Sequence, residues 1–404
     1  MGWIVFTHLP IVPLIFKFRL KNIFFMKAAF VTSSDPSNVQ AWSGSIFYML
    51  QAIQNAGIIT FTIGSLKEGD WNLSKFKKLL YLIVSKKNYL RNRELLICKN
   101  YASQINKRLV SSEYDFIFSP GTLELAHLKS DKPIVIWTDA TFAGMLNFYP
   151  EFTNLASETI RNGHRLEQMT LSKCRLAIYS SQWAANSAIA NYQIDPDKVK
   201  VVPFGANINS NRASSDIIKL VDNKSFNICK LLFVGVDWNR KGGDFVLDIA
   251  KRLNASGLRT ELHVVGCKPP FNSPSFVITH GFISKKTEQG RKRIDQLFSE
   301  AHFLVLPTKA ECFGVVFPEA NSFGLPCLAT NVGGIKTAIR DGVNGWTFPL
   351  GASAEIYCDK IKLLMSSKDN YKKFSAVCFQ EYIERINWDS SGVIVSNLIK
   401  QYCI

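Results

Sequence analysis

Two glutamates, Glu311 and Glu319, stand eight positions apart in the C-terminal half of the chain. They follow an apolar run that predicts a buried strand, and Gly314 lies between them. Two carboxylates in one cleft repel each other unless a ligand offers hydroxyl donors, and a sugar or ribose presents vicinal hydroxyls that one carboxylate can accept together. The pair therefore indicates a site for a polyhydroxylated ligand.

Glycines close to these glutamates indicate that the ligand also carries phosphate. Gly314 and the pair Gly333-Gly334 each lie between a predicted strand and a predicted helix. Backbone N–H groups at a helix N-terminus bind phosphate, and glycine lets a ligand approach the backbone closely. These two junctions therefore predict an anion site beside the carboxylates.

Arg240 and Lys241 are the cations that such an anion site needs. A predicted strand ends at Gly235, a predicted loop carries the two cations, and Gly242-Gly243 opens a predicted helix. Two cations at a helix N-terminus are repelled by the helix dipole unless an anion joins them. The alternative is a basic turn that is only solvated.

The elements that position these loops are predicted by apolar runs alternating with helix-like segments. A chain of 404 residues is long for one domain, and the pattern predicts an α/β fold with two Rossmann-like domains facing a central cleft. In open α/β sheets ligands bind beyond the carboxyl ends of the strands, and the loops described above follow predicted strands.

The sequence around the glutamates resembles a known family. The resemblance rests on the ordered motifs Pro307-Thr, Glu311-Cys-Phe-Gly, Pro318-Glu-Ala, Gly324-Leu-Pro, Thr330-Asn-Val-Gly-Gly and Asp341-Gly-Val-Asn-Gly. They are similar to those of the large retaining glycosyltransferase family with GT-B architecture and a Glu-x7-Glu motif, called glycosyltransferase family 4 or glycosyl transferases group 1. The resemblance implies transfer of a sugar from a UDP- or GDP-linked donor to a hydroxyl of a saccharide or lipid-linked acceptor, with retention of anomeric configuration.

The resemblance also implies roles for donor-side residues. Glu311 would contact the hydroxyls of the donor sugar, and Glu319 would hold the ribose. Backbone N–H groups would face the sugar or diphosphate at Phe313, Gly314 and Val315.

The cation loop departs from the family pattern at one position. Lys241 and Gly242 match it, but Val236 stands where the family has arginine after the strand-end glycine, Gly235. We therefore expect Arg240 to supply the second charge on the leaving diphosphate.

Further donor contacts are expected in two other loops. Phe282 and Ile283 follow a predicted strand and would lie near the nucleobase. Gly44 lies in Trp42-Ser43-Gly44, where the family has a glycine loop that faces the diphosphate, although many members have two glycines there. The family usually has aspartate where this chain has Asn207.

Asp139 is the candidate that would act on the acceptor. It follows a predicted strand, where it could orient the acceptor hydroxyl or accept its proton. The alternative is that Asp139 caps the next helix.

The resemblance and the composition together divide the chain into segments. Residues 1–25 form an N-terminal extension, either a wrongly assigned start or a membrane-associating segment. Residues 26–208 are expected to be the acceptor domain, 209–224 a linker, 225–385 the donor domain and 386–404 a helix that packs back on the first domain.

The charge and the cysteines bear on partners and location. The formal net charge of +16 attracts anions, but no known nucleic-acid-binding motif accompanies it. The nine cysteines contain no Cys-x-x-Cys pair, which fits a reducing cytoplasm. The basic, partly apolar residues 74–99 have two interpretations, a segment that contacts the inner face of an anionic membrane or an ordinary helix that covers the sheet.

We therefore predict a cytoplasmic retaining hexosyltransferase, in polysaccharide biosynthesis by family analogy, that needs no cofactor or metal and binds no nucleic acid. The alternatives are a non-catalytic protein that binds sugar nucleotides or polyanions, and a sugar-nucleotide epimerase of the same fold. Lys241 disfavours the epimerase, and the absence of a Gly-x-Gly-x-x-Gly sequence after either first strand disfavours a dehydrogenase.

Overall fold

The structure is a computed structural model that describes residues 26–69, 72–270 and 272–404. The prediction for residues 1–25 lies outside these ranges. Within them, every helix is too short or too polar to span a bilayer.

The N-terminal domain is built on six parallel strands in the order β2-β1-β3-β4-β5-β6. Its strands are apolar runs that are largely buried because helices cover both faces of the sheet. The strands are β1 Lys27–Val31, β2 Ile59–Ile63, β3 Phe116–Ser119, β4 Ile134–Thr138, β5 Cys174–Tyr179 and β6 Val199–Val201. The helices are α1 Ser45–Asn55, α2 Asn72–Leu80, α3 Leu95–Leu109, α4 Phe142–Met145, α5 Ser157–Leu171 and α6 Gln182–Asn191.

The C-terminal domain repeats this plan with six parallel strands in the order β12-β11-β10-β7-β8-β9. The strands are β7 Cys229–Val234, β8 Thr260–Val265, β9 Val277–Gly281, β10 Phe303–Leu306, β11 Cys327–Thr330 and β12 Gly345–Phe348. The helices from the linker onward are α7 Ser214–Asp222, α8 Trp238–Lys241, α9 Gly243–Ala255, α10 Glu288–Glu300, α11 Val316–Asn321, α12 Ile335–Ala338, α13 Ala354–Met365, α14 Lys368–Arg385 and α15 Trp388–Cys403. The α/β, two-domain prediction is confirmed.

Residues 209–224, predicted as a linker, connect the two sheets and contain a helix of their own. Helix α7 buries Ile217 and Val221 and packs against α14. The polar composition of this segment reflects the outer face of α7, whereas its two buried apolar residues pack into the C-terminal domain.

The last helix crosses back to the N-terminal domain. On α15, the Ser391 hydroxyl donates to the Pro203 carbonyl at 2.8 Å, and Gly392 lies against the Ala52 carbonyl of α1. A Cβ at position 392 would come within 2.4 Å of that oxygen, so a glycine is needed for the two helices to approach this closely.

The basic segment 74–99 is not one helix. It contains the end of α2, one π-helical turn at Tyr81–Ser85, a 3₁₀ turn at Arg91–Arg93 and the start of α3. Lys86 ends the π-helical turn in a left-handed conformation with φ +53°, which stops the helix.

Candidate active site in the cleft between the domains

The loops predicted to carry chemistry lie at the points where strand order reverses. In the C-terminal sheet β7 and β10 are neighbours at such a point, and the segments after them carry Lys241 and Glu311. In the N-terminal sheet the reversal lies between β1 and β3, and the loop after β1 carries Trp42. Ligands bind at such crevices in open α/β sheets, so the topology supports the location of the predicted site.

Glu311 is paired with the cation predicted to lie near it. Lys241 Nζ donates to Glu311 Oε2, and Arg240 Nη1 lies 4.0 Å from the same oxygen. The side chains of Lys241 and Glu311 are only 12% and 13% exposed. Because water is largely excluded from this pair, both the ammonium and the carboxylate are already partly desolvated. A ligand that binds there therefore meets one charged hydrogen-bond donor and one charged hydrogen-bond acceptor.

The two cations lie in a short helix and not in the predicted loop. Helix α8 ends with Arg240 and Lys241, and the Asp237 carboxylate caps its start by accepting the Arg240 N–H at 3.0 Å. Gly242 ends α8 at φ +82°, where a Cβ would lie 2.2 Å from the Pro307 carbonyl oxygen. The loop prediction was wrong because a four-residue helix between glycines carries no readable periodicity.

Gly235 makes room for the lysine. A Cβ at Gly235 would lie 2.8 Å from Lys241 Cγ. A glycine is therefore needed here because the lysine stem packs against it. A direct contact of Gly235 with the sugar-nucleotide donor stays a prediction.

Glu319 is buried in α11 and bound by a lysine that the sequence analysis missed. Lys285 Nζ donates to Glu319 Oε1 at 2.5 Å and lies 3.4 Å from the Asn207 carbonyl oxygen. Burial raises the pKa of Glu319, and Lys285 together with the Asn207 backbone opposes that rise. The one clue to Lys285 in the sequence is that it follows the expected base loop, Phe282-Ile283, by two residues.

The Asn207 side chain joins three segments of the molecule. Its Nδ2 donates to the Ser43 carbonyl and to Ser45 Oγ, both at 3.0 Å, and its Oδ1 accepts from Trp388 Nε1 at 3.0 Å. An aspartate, the usual residue in the family, would place a carboxylate oxygen against the Ser43 carbonyl oxygen. The departure from the family pattern is therefore matched by the local hydrogen bonding.

The loop that Asn207 holds has an unusual backbone. Trp42, Ser43 and Gly44 have φ values of +49°, +58° and +94°. Left-handed conformations cost about 1–2 kcal/mol each in residues other than glycine, and such strain is concentrated at functional sites. A Cβ at Gly44 would lie 2.9 Å from the Val39 carbonyl oxygen, so the single glycine stands at the tightest point.

Asp139 lies at the end of β4 on the opposite side of the cleft from Glu311. Burial raises its pKa to about 7, the Glu311 charge adds to the rise, and a hydrogen bond from the Trp42 side chain opposes it. Asp139 does not cap α4, because the Thr141 hydroxyl does so by accepting the Gly144 N–H at 3.0 Å. The capping alternative is therefore wrong, and Asp139 is left facing the cleft.

Tyr149 connects the domains at the same place and was not predicted. Its hydroxyl oxygen accepts the Cys312 N–H at 3.1 Å, and the Arg240 guanidinium lies 5.2 Å from its ring centroid. Burial raises the pKa of Tyr149, with contributions from Cys312 and Glu311. No motif contains this residue, so only the three-dimensional structure reveals it.

The remaining predicted donor contacts differ in how they are placed. The Phe313 side chain is buried and packs 5.7 Å from the Phe204 ring, so only its backbone can face a ligand. The N–H groups of Phe313, Gly314 and Val315 donate to no other group in the described ranges. Phe282 is exposed and Ile283 is half-buried, and their contact with a nucleobase stays a prediction.

A cavity of about 840 Å³ opens between the domains beside Lys285 and Asn207. Tyr48 and Asp35 line it from the N-terminal domain, and Arg291 lines it from α10. Its volume lies within the range of small-molecule sites, roughly 300–1,000 Å³.

Comparison with known proteins gives matches in sequence and in structure. Residues 229–367 match the family model described as "Glycosyl transferases group 1". The chain is 28% identical over 191 residues to a D-inositol 3-phosphate glycosyltransferase of Paenarthrobacter aurescens, covering 44% of this chain and 46% of that protein. It is 27% identical over 211 residues to the protein of that name from Mycolicibacterium paratuberculosis, covering 49% and 46%. The chain thus matches about half the length of these curated relatives.

Solved structures match over nearly the whole chain. Sucrose-phosphate synthase from Thermosynechococcus elongatus superposes with a TM-score of 0.65 at 14% identity, covering 93% of this chain and 98% of that one. The Anabaena HepE protein in complex with UDP and glucose superposes with a TM-score of 0.59 at 15% identity, covering 93% and 99%. Residues 229–367 therefore match the glycosyl transferases group 1 family model, within a protein that has the two-domain GT-B fold.

Proposed function

We propose that this protein is a glycosyltransferase that moves a sugar, a hexose by family analogy, from a UDP- or GDP-linked donor to an acceptor hydroxyl with retention of anomeric configuration. The observation that carries the proposal is the pairing of Lys241 with Glu311 at the strand-order reversal, next to the buried Glu319. Such a site combines fixed cations for a diphosphate with carboxylates for hydroxyl groups.

The proposed reaction breaks the bond between the sugar C1 and the diphosphate oxygen. A new bond forms on the same face between C1 and the acceptor oxygen, and the acceptor proton leaves to the departing phosphate or to Asp139. Lys241 and Arg240 stabilise the charge that develops on the diphosphate. Each fixed hydrogen-bond donor of this kind contributes a factor of about 10²–10³ to the rate.

Glu319 would exchange its partner when the donor binds. In the structure its carboxylate accepts from Lys285, and the ribose hydroxyls of a nucleotide would replace this contact. The cavity beside Lys285 has room for the nucleoside. The contact between Tyr149 and the loop that carries Cys312 would exclude water from the reacting atoms and limit hydrolysis of the donor.

We place the protein in the cytoplasm, where nucleotide sugars are made and cysteines stay reduced. All nine cysteines are unpaired in the structure. Polysaccharide assembly is the pathway that this proposal implies, with a saccharide or lipid-linked molecule as acceptor.

The proposal is tested by saturation-transfer NMR with UDP- and GDP-sugars. Wild type is expected to bind one nucleotide class, and Glu319→Ala is expected to lose that binding. Glu113→Ala, which removes an exposed carboxylate before β3 at the edge of the sheet away from the cleft, is the matched control and should bind as wild type. Absence of binding by folded wild-type protein would exclude the donor site and favour a polyanion-binding protein.

Binding without transfer would favour the non-catalytic alternative. A radiolabelled-sugar transfer assay with mixed cell-envelope acceptors separates the two outcomes, and NMR of the product's anomeric proton tests retention. Product with inverted configuration would contradict that part of the proposal.

A further inference from the structure

Helix α2 and the π-helical turn that follows it pack on the protein with their polar side. The Ser74 hydroxyl is buried and accepts from Arg91 Nε at 3.1 Å. Lys77 Nζ donates to Glu94 at 3.1 Å and to Glu158 at 2.7 Å. The inner side of this element is therefore held by hydrogen bonds and ion pairs.

The apolar side of the same element faces outward. Its seven large apolar side chains are between 47% and 74% exposed in the part of the chain that the structure describes. We call them the exposed apolar face: Leu73, Phe76, Leu79, Leu80, Leu82, Ile83 and Val84. An amphipathic helix normally buries its apolar stripe, so a helix oriented the other way marks an interaction surface. For α2 and the π-helical turn, the interpretation of residues 74–99 as an ordinary helix that covers the sheet is therefore wrong.

Cations surround this face. Lys75, Lys78 and Lys86 are exposed, and residues 72–93 contain no aspartate or glutamate. Lysine stems can lie along an apolar surface while the ammonium reaches water or phosphate. Apolar side chains rimmed by lysines match the interface of an anionic lipid bilayer, in which acyl chains lie beneath negative headgroups.

The chain that follows the exposed apolar face pairs with the segment that carries Tyr149. Asn88 pairs with the segment before α5, because its N–H donates to the Asn154 carbonyl and its carbonyl accepts the Ala156 N–H, both at 2.9 Å. Tyr149, which contacts the donor loops, lies five residues before Asn154. A surface bound to this face would therefore lie on the acceptor side of the molecule.

We propose that the exposed apolar face docks this protein on an anionic lipid bilayer, with the acceptor side of the cleft turned toward the membrane. The second part rests on the proposed function, and it selects a lipid-linked molecule as the acceptor class. Docking itself does not depend on glycosyl transfer, so the two proposals fail separately.

The test is sedimentation of the full chain with phosphatidylcholine vesicles that contain or lack phosphatidylglycerol. Wild type is expected to bind only the anionic vesicles and to be released by salt, because charges at a surface are screened within about 10 Å at 0.1 M salt. Phe76→Ser combined with Ile83→Ser is expected to weaken binding roughly tenfold or more, since each buried large apolar side chain contributes about 1.5–3 kcal/mol. The triple change of Lys75, Lys78 and Lys86 to glutamine should also weaken it by roughly tenfold or more.

Matched controls keep the test specific. Val110→Ser removes an apolar side chain that is 90% exposed elsewhere on the same domain. The triple change of Lys129, Lys132 and Lys362 to glutamine removes three exposed lysines with the same loss of net charge. Both controls are expected to bind vesicles as wild type, and every variant should keep wild-type nucleotide binding and thermal midpoint.

Three results would overturn the proposal. The first is vesicle binding that is absent, or unchanged in both test variants. The second is a dimer, measured by light scattering, that Phe76→Ser with Ile83→Ser converts to monomer, because the face would then bind a second copy. The third is hydrogen-exchange protection of residues 72–85 that disappears when residues 1–25 are deleted, which would assign the face to the chain's own N-terminal segment.

Discussion

The two sides of the cleft handle charge in different ways. On the C-terminal side, Lys241 and Lys285 pair with the carboxylates of Glu311 and Glu319. On the N-terminal side, Asp139 receives a hydrogen bond from Trp42 but forms no ion pair with a described residue. One side holds charges in place by pairing them, and the other tunes an acid by burial.

This difference suggests a division of work. Paired charges are held in fixed positions and suit the binding of a diphosphate and a ribose. A lone acid with a pKa of about 7 exchanges its proton near neutral pH and suits proton transfer. Five predictions test this comparison.

The largest effect is expected from Lys241→Met on the paired side. The change leaves Glu311 without its closest cation and removes the charge that we propose for stabilising the diphosphate. We expect kcat to fall by about 10³, measured by steady-state transfer kinetics. Lys27→Met, which breaks a surface pair with Glu113 at the edge of the sheet away from the cleft, is the control and should leave kcat unchanged. A Lys241 variant with normal kcat would show that the pair is structural only.

A smaller effect is expected at the second pair. Glu319→Gln should weaken nucleotide binding about 10–100-fold, because an amide cannot accept two ribose hydroxyls as a carboxylate does. Isothermal titration calorimetry measures this change. Equal affinity in Glu319→Gln and wild type would exclude the ribose role.

Lys285→Met tests the same pair through stability. The pKa of Glu319 is already raised by burial, and loss of Lys285 raises it further. When the pKa of an acid is higher in the folded state than in the unfolded state, the folded protein loses stability as pH rises from the unfolded pKa to the folded pKa. The thermal midpoint of Lys285→Met should therefore fall more at about pH 8 than at about pH 5. Glu319→Gln combined with Lys285→Met should remove this pH dependence.

The unpaired side is tested by pH. The pKa of Asp139 is about 7 in the folded protein against a usual 3.8, so its stabilising contribution is complete below about pH 4 and is lost as pH rises through about 7. Asp139→Asn should flatten the pH dependence of unfolding in that window. If the ionised form accepts the acceptor proton, kcat/KM of wild type rises up to about pH 7 and the step disappears in the variant. Asp131→Asn, at an exposed surface site, is the control.

The smallest effect is expected where the two sides meet. Tyr149→Phe removes the acceptor for the Cys312 N–H and keeps the ring beneath Arg240. We expect kcat to fall about fivefold with KM unchanged, since one such hydrogen bond is worth about 1 kcal/mol. Tyr149→Leu should lower kcat further because the ring is also lost. Equal kinetics in both variants and wild type would show that this contact between the domains does not position the donor loops.

The same two sides differ in how well the sequence predicts them. Glu311, Glu319 and Lys241 could be found because their chemistry is carried by neighbours at fixed spacing, and the parallel strands because their apolar runs are continuous. The structure brings Lys241 to Glu311 as that chemistry requires. Their roles toward a bound donor stay predictions.

The residues that were missed act through long-range contacts. Lys285 reaches Glu319 across 34 positions and Tyr149 reaches Cys312 across 163. The left-handed backbone of Trp42 and Ser43 also depends on a distant partner, because Asn207 holds it from 164 positions away. Local pattern cannot reveal contacts of this kind, since they are created by the packing of segments that lie far apart in the chain.

The return of α15 to the first domain has a mechanical consequence. The chain passes between the domains twice, once near Gly205 and once before Trp388, and these passages touch. A Cβ at position 205 would lie 2.2 Å from the Trp388 backbone nitrogen. Both passages must therefore bend at the same place when the domains separate. A side chain at position 205 would clash with the backbone of the second passage.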